Sequence, residues 1–298
     1  MKRKIHRCGW LLLVAWLAVP QVTQAQNFFS QRDLRPRGPK TLLEWSNAVE
    51  SDEPEEENPR IITDRPHLAE AASLVGLGRI QVETGYTFTL DNDSATNVQR
   101  HSFPEPLFRI GMFREWFEFR FGYNYLVEET VDPTGRTVLS GSDDIYVGAK
   151  IALAEQSGIL PEFTVFPQMR VPSGHPNFTS SEVLPGMNFA YAWMITEKLE
   201  LEVNTVLNRK KDDGLDHYYV ELFQPINFEY DLHEKLMLFN EFILFSPIGA
   251  LDASCQYYQH AGFHFFILPN LQYDLHAGFG LNRAADDFFG GNGLSWRW

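Results

Sequence analysis

From Gly78 to the C-terminus the apolar residues recur at every second position, and this period decides what the chain can fold into. Phe117, Phe119, Phe121, Tyr123 and Tyr125 share one side of an extended chain, with Glu118, Arg120, Gly122 and Asn124 on the other. Ile145, Val147, Ala149, Ile151 and Leu153 alternate with Asp144, Tyr146, Gly148 and Lys150. Leu271, Tyr273, Leu275, Ala277, Phe279 and Leu281 alternate with Gln272, Asp274, His276, Gly278 and Gly280. A helix turns through 3.6 residues and cannot gather such residues on one face, whereas a strand does so automatically. About twelve such stretches follow one another. They run over 78–90, 105–113, 116–127, 142–154, 159–171, 184–195, 198–208, 217–231, 235–246, 254–267, 270–282 and 291–298. The alternation is weakest in the second and the ninth. Strands of this length, tilted, match the thickness of a bilayer.

The connections alternate as well. Short links fall at Arg114-Glu115, 155–158, Thr196-Glu197, 232–234 and Leu268-Pro269. Longer loops are expected at 91–104, 128–141, 172–183, 209–216, 247–253 and 283–290. Turns on one side and loops on the other are the habit of outer-membrane barrels. The chain closes on Leu294-Ser295-Trp296-Arg297-Trp298, and the terminal aromatic Trp298 is expected to be an assembly signal. The fold class expected is all-β: a transmembrane antiparallel β-barrel of about twelve strands over 78–298, preceded by a disordered N-terminal segment. A secreted β-sandwich would alternate too, with its apolar face inward. Strand length, loop asymmetry and the terminal Trp favour the barrel.

Ahead of the strands, residues 1–25 have the form of a secretory signal: Lys2, Arg3, Lys4 and Arg7, an apolar run Trp10–Val19, then Thr23-Gln24-Ala25. That run is about half the length needed to span a bilayer, so cleavage after Ala25 and export to the outer membrane are expected. Residues 26–62 carry Pro36, Pro39, Pro54, Pro59 and an acidic run from Glu50 to Glu57, the text of a flexible periplasmic segment, with one short helix conceivable within 41–49. Residues 63–77 form a lead-in that could tuck into the barrel mouth as a plug through Asp64 and Arg65. The formal charge of the chain is −14, and the leader holds four cations and no acid, so the remainder is near −18. Such acidity argues against a nucleic-acid partner. Mean hydropathy of −0.26 argues against a bundle of membrane helices. Two cysteines, one of them in the leader, leave no Cys-based zinc site.

Four places resemble the outer-membrane transporter family labelled "meta-pathway of phenol degradation". They are Thr63-Asp64-Arg65-Pro66-His67-Leu68-Ala69-Glu70, with His67 where the family usually has an acid or polar residue; Asp143-Asp144-Ile145-Tyr146-Val147-Gly148-Ala149-Lys150; Val171-Pro172-Ser173-Gly174; and Asp286 to Trp298. The resemblance covers the chain from about Ile61 and implies an outer-membrane barrel with a role in uptake of small compounds, aromatic ones among the candidates. Its motifs belong to the fold and carry no catalytic group.

If the apolar faces meet lipid, the opposite faces line the lumen with Glu83, Arg109, Glu118, Arg120, Lys150, Glu162, Arg170, Glu202, Glu221, Glu229, Glu241, His260, His264, Asp274, His276 and Arg297. Such a mixed set can line a narrow, selective pore or cross-brace the interior, and both readings stay open. His260, His264 and His276 face one way on adjacent strands, but histidines in a wet lumen need no metal. A hydrolase would draw on rim groups: His217 with Asp212, Asp213 and Asp216, or Ser180 or Ser181 with His175. None has a defining motif. An adhesin or purely structural barrel is the third class. The expected partners are outer-membrane lipid, the barrel-assembly machinery and a small-molecule solute, with no cofactor, metal or enzymatic activity.

Overall fold

The structure, a computed structural model, describes residues 41–46, 59–93, 95–212 and 215–298. The expected leader over 1–25 and most of the expected 26–62 segment lie outside these residues. A short helix, α1 (Leu42–Ser46), is closed by a capping box: Thr41 Oγ1 accepts from Glu44 N and Glu44 Oε2 from Thr41 N, both at 3.2 Å.

The alternating stretches become antiparallel strands. They are β1 (Ile80–Asn92), β2 (Asn97–Phe103), β3 (Leu107–Gly111), β4 (Phe117–Gly122), β5 (Tyr125–Asp132), β6 (Gly135–Ser142), β7 (Ile145–Ala154) and β8 (Glu162–Val171). Then follow β9 (Leu184–Thr196), β10 (Leu199–Lys211), β11 (Tyr218–His233), β12 (Leu236–Ile248), β13 (Gln256–Leu268), β14 (Leu271–Gly280) and β15 (Phe288–Arg297). β1 pairs with β15 from Gln81↔Arg297 to Leu90↔Phe288, so the sheet closes on itself. The ring runs β1, β15 and back through β14 to β7, then β4 and β3, which makes twelve strands. Closure leaves no sheet edge in the ring, the condition for backbone to cross a bilayer.

Burial is inverted relative to a soluble protein. Glu83, Arg109, Glu118, Arg120, Lys150 and Asp274 are completely buried, while Leu275 is 48% exposed and Phe279 and Trp296 are 52% exposed. A sandwich would bury the apolar set, so the strand faces identify the outer wall as lipid-facing.

Two of the expected loops are strands. Residues 97–103 and the 125–132/135–142 hairpin extend the sheet outward, with β2 on the outer half of β1, β5 on β2 and β6 on β5. The second strand is therefore 97–111, broken at 104–106, where an unbroken 105–113 was expected. The break has a cause: Pro104 and Pro106 have no N–H for the ladder. Their carbonyls accept instead from Gly85 N (2.6 Å) and Tyr123 N (3.3 Å), and the interruption passes to Tyr123-Asn124 and Asp143-Asp144 through Asp143 N→Asn124 O (2.9 Å). The extension escaped the sequence pattern because neither of its faces is consistently apolar.

Candidate functional site

Residues 59–78 thread through the lumen. They carry Pro59, Pro66, Gly76 and Gly78 and cannot make a ladder, so their buried N–H groups need side-chain acceptors. The acids of the wall supply them. Glu83 accepts from Asp64 N and Arg65 N, Glu241 from Leu68 N and Ala69 N, and Glu118 from Val75 N, at 2.6–3.1 Å. Asn204 accepts from Glu70 N. In the other direction, Gln81 donates to Ile62 O and Thr164 to Ala72 O. The contact begins at Pro59 rather than at Thr63. Pro59 O accepts from Arg297, Arg60 pairs with Asp231 at 2.8 Å, and Ile61 N donates to Pro269 O. The buried Ile61 packs with Met237 and Phe266.

Asp64 is the hub of the segment. Its carboxylate meets Arg120 at 2.7 Å, Lys150 at 2.9 Å and Arg109 at 3.3 Å, and accepts from Ala71 N. Burial opposes its ionisation, but the fields of Arg109, Lys150 and Arg120 outweigh burial and hold its pKa well below the ordinary value. Arg109 also reaches Glu118 (2.8 Å) and Glu83 (3.1 Å), and Arg120 reaches Glu70 (2.9 Å). Lys150 also donates to the carbonyls of Ala71 and Ser73. Arg65 leans the other way, to Glu105 at 2.7 Å and Asp274 at 3.7 Å. A Cβ at Gly85 or Gly293 would collide with its guanidinium, so both glycines give it room. Gly111 does the same for the carbonyl of Gly76, where the segment turns out into β1.

Of the residues singled out in the sequence, Glu83, Arg109, Glu118, Arg120, Lys150, Glu202, Glu229, Glu241, Asp274 and Arg297 all touch the threading segment. Glu162 stands half-buried at the start of β8, away from the hub. Arg170 pairs with Asp143 (2.6 Å) and Glu221 with Lys210 (3.5 Å) in the outer half. The three histidines separate. His260 bridges Glu241 (2.8 Å) and His276 (3.0 Å), whereas His264 lies beside His67. Sequence reasoning passed over Glu70, Gln81, Glu105, Asn188, Asn204 and Gln272. They are four amides and two acids, Glu70 in the segment itself and Glu105 in the break of the second strand, whose role appears only once the segment is inside. His67 had one mark: it departs from the resembled pattern.

The motifs quoted from the sequence meet in space. Lys150 of the second reaches Asp64 of the first. Asp144 accepts from the N–H groups of Ser173 and Gly174 in the third, and from Ser180. Burial acts to raise the Asp144 pKa, yet the hydrogen bonds from Thr179, Ser180 and Gly174 bring it down to about 2. Ser180 Oγ thus serves Asp144, and His217 Nδ1 pairs with Asp212 (2.7 Å).

Above the threaded segment lies a cavity of about 380 Å³. Leu68 and Glu70 line it from the segment, and Tyr123, Tyr146, Met169, Leu184, Phe223 and Phe245 provide apolar surface. Charged groups of both signs, among them Arg120, Arg209, Lys210 and Glu221, complete the lining.

The profile of a family described by the words "MetA-pathway of phenol degradation" matches residues 63–298. Among solved structures, an outer membrane channel from Pseudomonas putida F1 is similar with a TM-score of 0.59 at 10% identity, over 75% of this chain and 97% of that one. The translocator domain of the autotransporter NalP from Neisseria meningitidis is similar with a TM-score of 0.51 at 8% identity, over 74% of this chain and 88% of that one. No curated protein matches the chain. At these identities the likeness shows the fold, that of Gram-negative outer-membrane barrels.

Proposed function

The chain belongs to the family described by the words "MetA-pathway of phenol degradation", and from that premise we propose that it is a passive outer-membrane channel for small solutes, closed on its periplasmic side by residues 59–78. The observation that carries this reading is the division of the lumen. One part of it is filled by a segment held through side-chain contacts, while the other keeps a cavity of about 380 Å³. A cavity of roughly 150 Å³ already takes benzene, so this one has room for a substituted single ring. Its mixed lining of aromatic, aliphatic and charged groups suits compounds that are partly apolar. Export through a leader cut after Ala25 belongs to the same reading; N-terminal sequencing of the chain from outer membranes checks it.

A second reading has a specific observation behind it. The ionic contacts at the hub, Asp64 with Arg109, Arg120 and Lys150, would equally brace a barrel that never conducts. Planar-bilayer recordings of the refolded protein, with residues 28–70 present and deleted, separate the two. Conductance steps that grow on deletion support a gated channel. Silence in both forms supports the braced barrel. Steps that are identical in both forms remove the segment from any gating role.

A further inference from the structure

In the periplasmic part of the lumen, side chains from four separate stretches of chain converge. Glu202 comes from β10, Glu229 from β11, His264 from β13, and His67 from the threading segment. Glu229 Oε1 stands 2.8 Å from His67 Nε2 and 3.7 Å from His264 Nε2, and Glu202 Oε2 stands 3.8 Å from His67 Nε2. All four side chains are buried, with exposures of 1% for each histidine, 3% for Glu202 and 7% for Glu229. One nitrogen of each histidine and one oxygen of Glu229 lie within 4.8 Å of one another. Glu200, the cross-strand partner of Glu229, adds its carboxylate to those of Glu202 and Glu229 on the same measure.

Counting protons shows what this cluster lacks. His67 Nδ1 is hydrogen-bonded to the carbonyl of Ala69, which only a ring N–H can satisfy. In the neutral imidazole the Nε2 lone pair then faces the oxygen of Glu229, another acceptor. A second proton on His67 would mend that one contact. It would not close the 3.7 Å between the same carboxylate and His264 Nε2, which is buried and makes no hydrogen bond among the described residues. It would also add a single charge against the carboxylates of Glu200, Glu202 and Glu229. A divalent cation held between them would take both Nε2 lone pairs and the Glu229 oxygen as ligands.

We infer that His67 Nε2, His264 Nε2 and Glu229, with Glu202 beside them, form a binding site for a divalent transition metal of the zinc type. Two imidazoles with carboxylates suit zinc better than calcium or magnesium, which take oxygen. Ligands about 2.0–2.1 Å from a tetrahedral ion lie roughly 3.3 Å apart, and the separations of 2.8 and 3.7 Å between Glu229 and the two histidines straddle that value. The outer shell is in place: the Ala69 carbonyl orients His67, and Asn227 Nδ2 donates to Glu202 at 3.1 Å. Since His67 belongs to the threading segment and the other ligands to the wall, the ion would staple one to the other. The site stands whether or not the barrel conducts.

The test uses the full, untagged chain, folded and stripped with a chelator, then titrated with zinc. The expected result is one zinc retained per chain after gel filtration, and visible d–d bands of tetrahedral form when cobalt is supplied instead. His264→Gln and Glu229→Gln should each weaken zinc binding at least about tenfold, since losing even an outer-shell partner costs that much. His217→Gln at the outer rim should bind as the wild type does. Chelation should also speed protease cleavage within 59–78. Heat-modifiable gel migration identifies folded barrels, and the cobalt spectrum of the wild type serves should a variant fail to fold. No retained zinc in the folded wild type, octahedral cobalt, or equal binding by both folded ligand variants overturns the inference.

Discussion

Asp64→Asn should release the lumenal segment while leaving the barrel intact. The substitution keeps shape and removes one charge from the centre of three cations, at 2.7, 2.9 and 3.3 Å. Removing one partner of a buried ion pair costs about 3–5 kcal/mol, because the other charge stays buried and uncompensated. The lower end applies here. Arg109 retains Glu83 and Glu118, and Arg120 retains Glu70. Lys150 alone among the three has no second carboxylate in its ion pairs among the described residues. A loss of about 3 kcal/mol corresponds to a shift of roughly a hundredfold in the docking equilibrium. Protease cleavage within 59–78 follows the undocked population when reclosing is fast, so the cleavage rate should rise by about that factor. Lys150→Met should restore part of the loss when combined with Asp64→Asn, since it removes the stranded charge. A cleavage rate within about threefold of wild type, or additive effects in the double variant, would refute the hub argument.

Acid should act through the same group. The pKa of Asp64 is lowered on docking, so its contribution is complete above the ordinary value of 3.8 and is lost as pH falls through the docked value. In the chelator-stripped protein, cleavage by an acid-active protease should therefore stay flat down to about pH 5 and climb only below about pH 4. Gly111→Ala places a Cβ against the carbonyl of Gly76 and should weaken docking by about 1–3 kcal/mol, seen as faster cleavage in a barrel of unchanged heat-modifiable migration. An epitope inserted at Gly135, the tip of the β5–β6 hairpin, should be reachable on intact cells, and one at Ser157 should not; the reverse pattern would invert the topology.

The wall was legible in the sequence because lipid imposes a rule on every second residue. Where lipid ends, so did the legibility. Residues 97–103 and most of 128–141 are strands beyond the ring, free to be polar on both faces, and the sequence pattern there reads as loop. The break at Pro104 and Pro106 hid the first part of the second strand, 97–103, because two residues without an N–H look like the end of a loop. Inside the barrel the direction of each charged side chain could be foreseen, because strand period fixes it. Its partner could not, because pairing depends on which strands curve around to face each other and on what fills the space between. Asp64 and Arg65 stood out in the lead-in. That His67 would meet Glu229 and separate His264 from His260 and His276 depended on how the segment enters, and no period encodes that path.

The choice between a pore lining and a set of braces, open at the level of sequence, is recast by the threaded segment. Glu83, Glu118 and Glu241 use their oxygens on its backbone N–H groups, and Arg109, Arg120 and Lys150 use their charge on Asp64 or on carbonyls that it presents. With the segment docked these residues brace. With it withdrawn, the same residues would border water as a ladder of mixed charge. Polar contacts suit such a change better than apolar packing would. Charges leaving a buried ion pair for water recover their hydration, so the net free energy of docking is far smaller than its separate contacts suggest. Apolar packing has no such return. A segment held by ions can therefore be well ordered in place and still be released by a modest change at one residue, and Asp64 is the residue where that change has the greatest leverage.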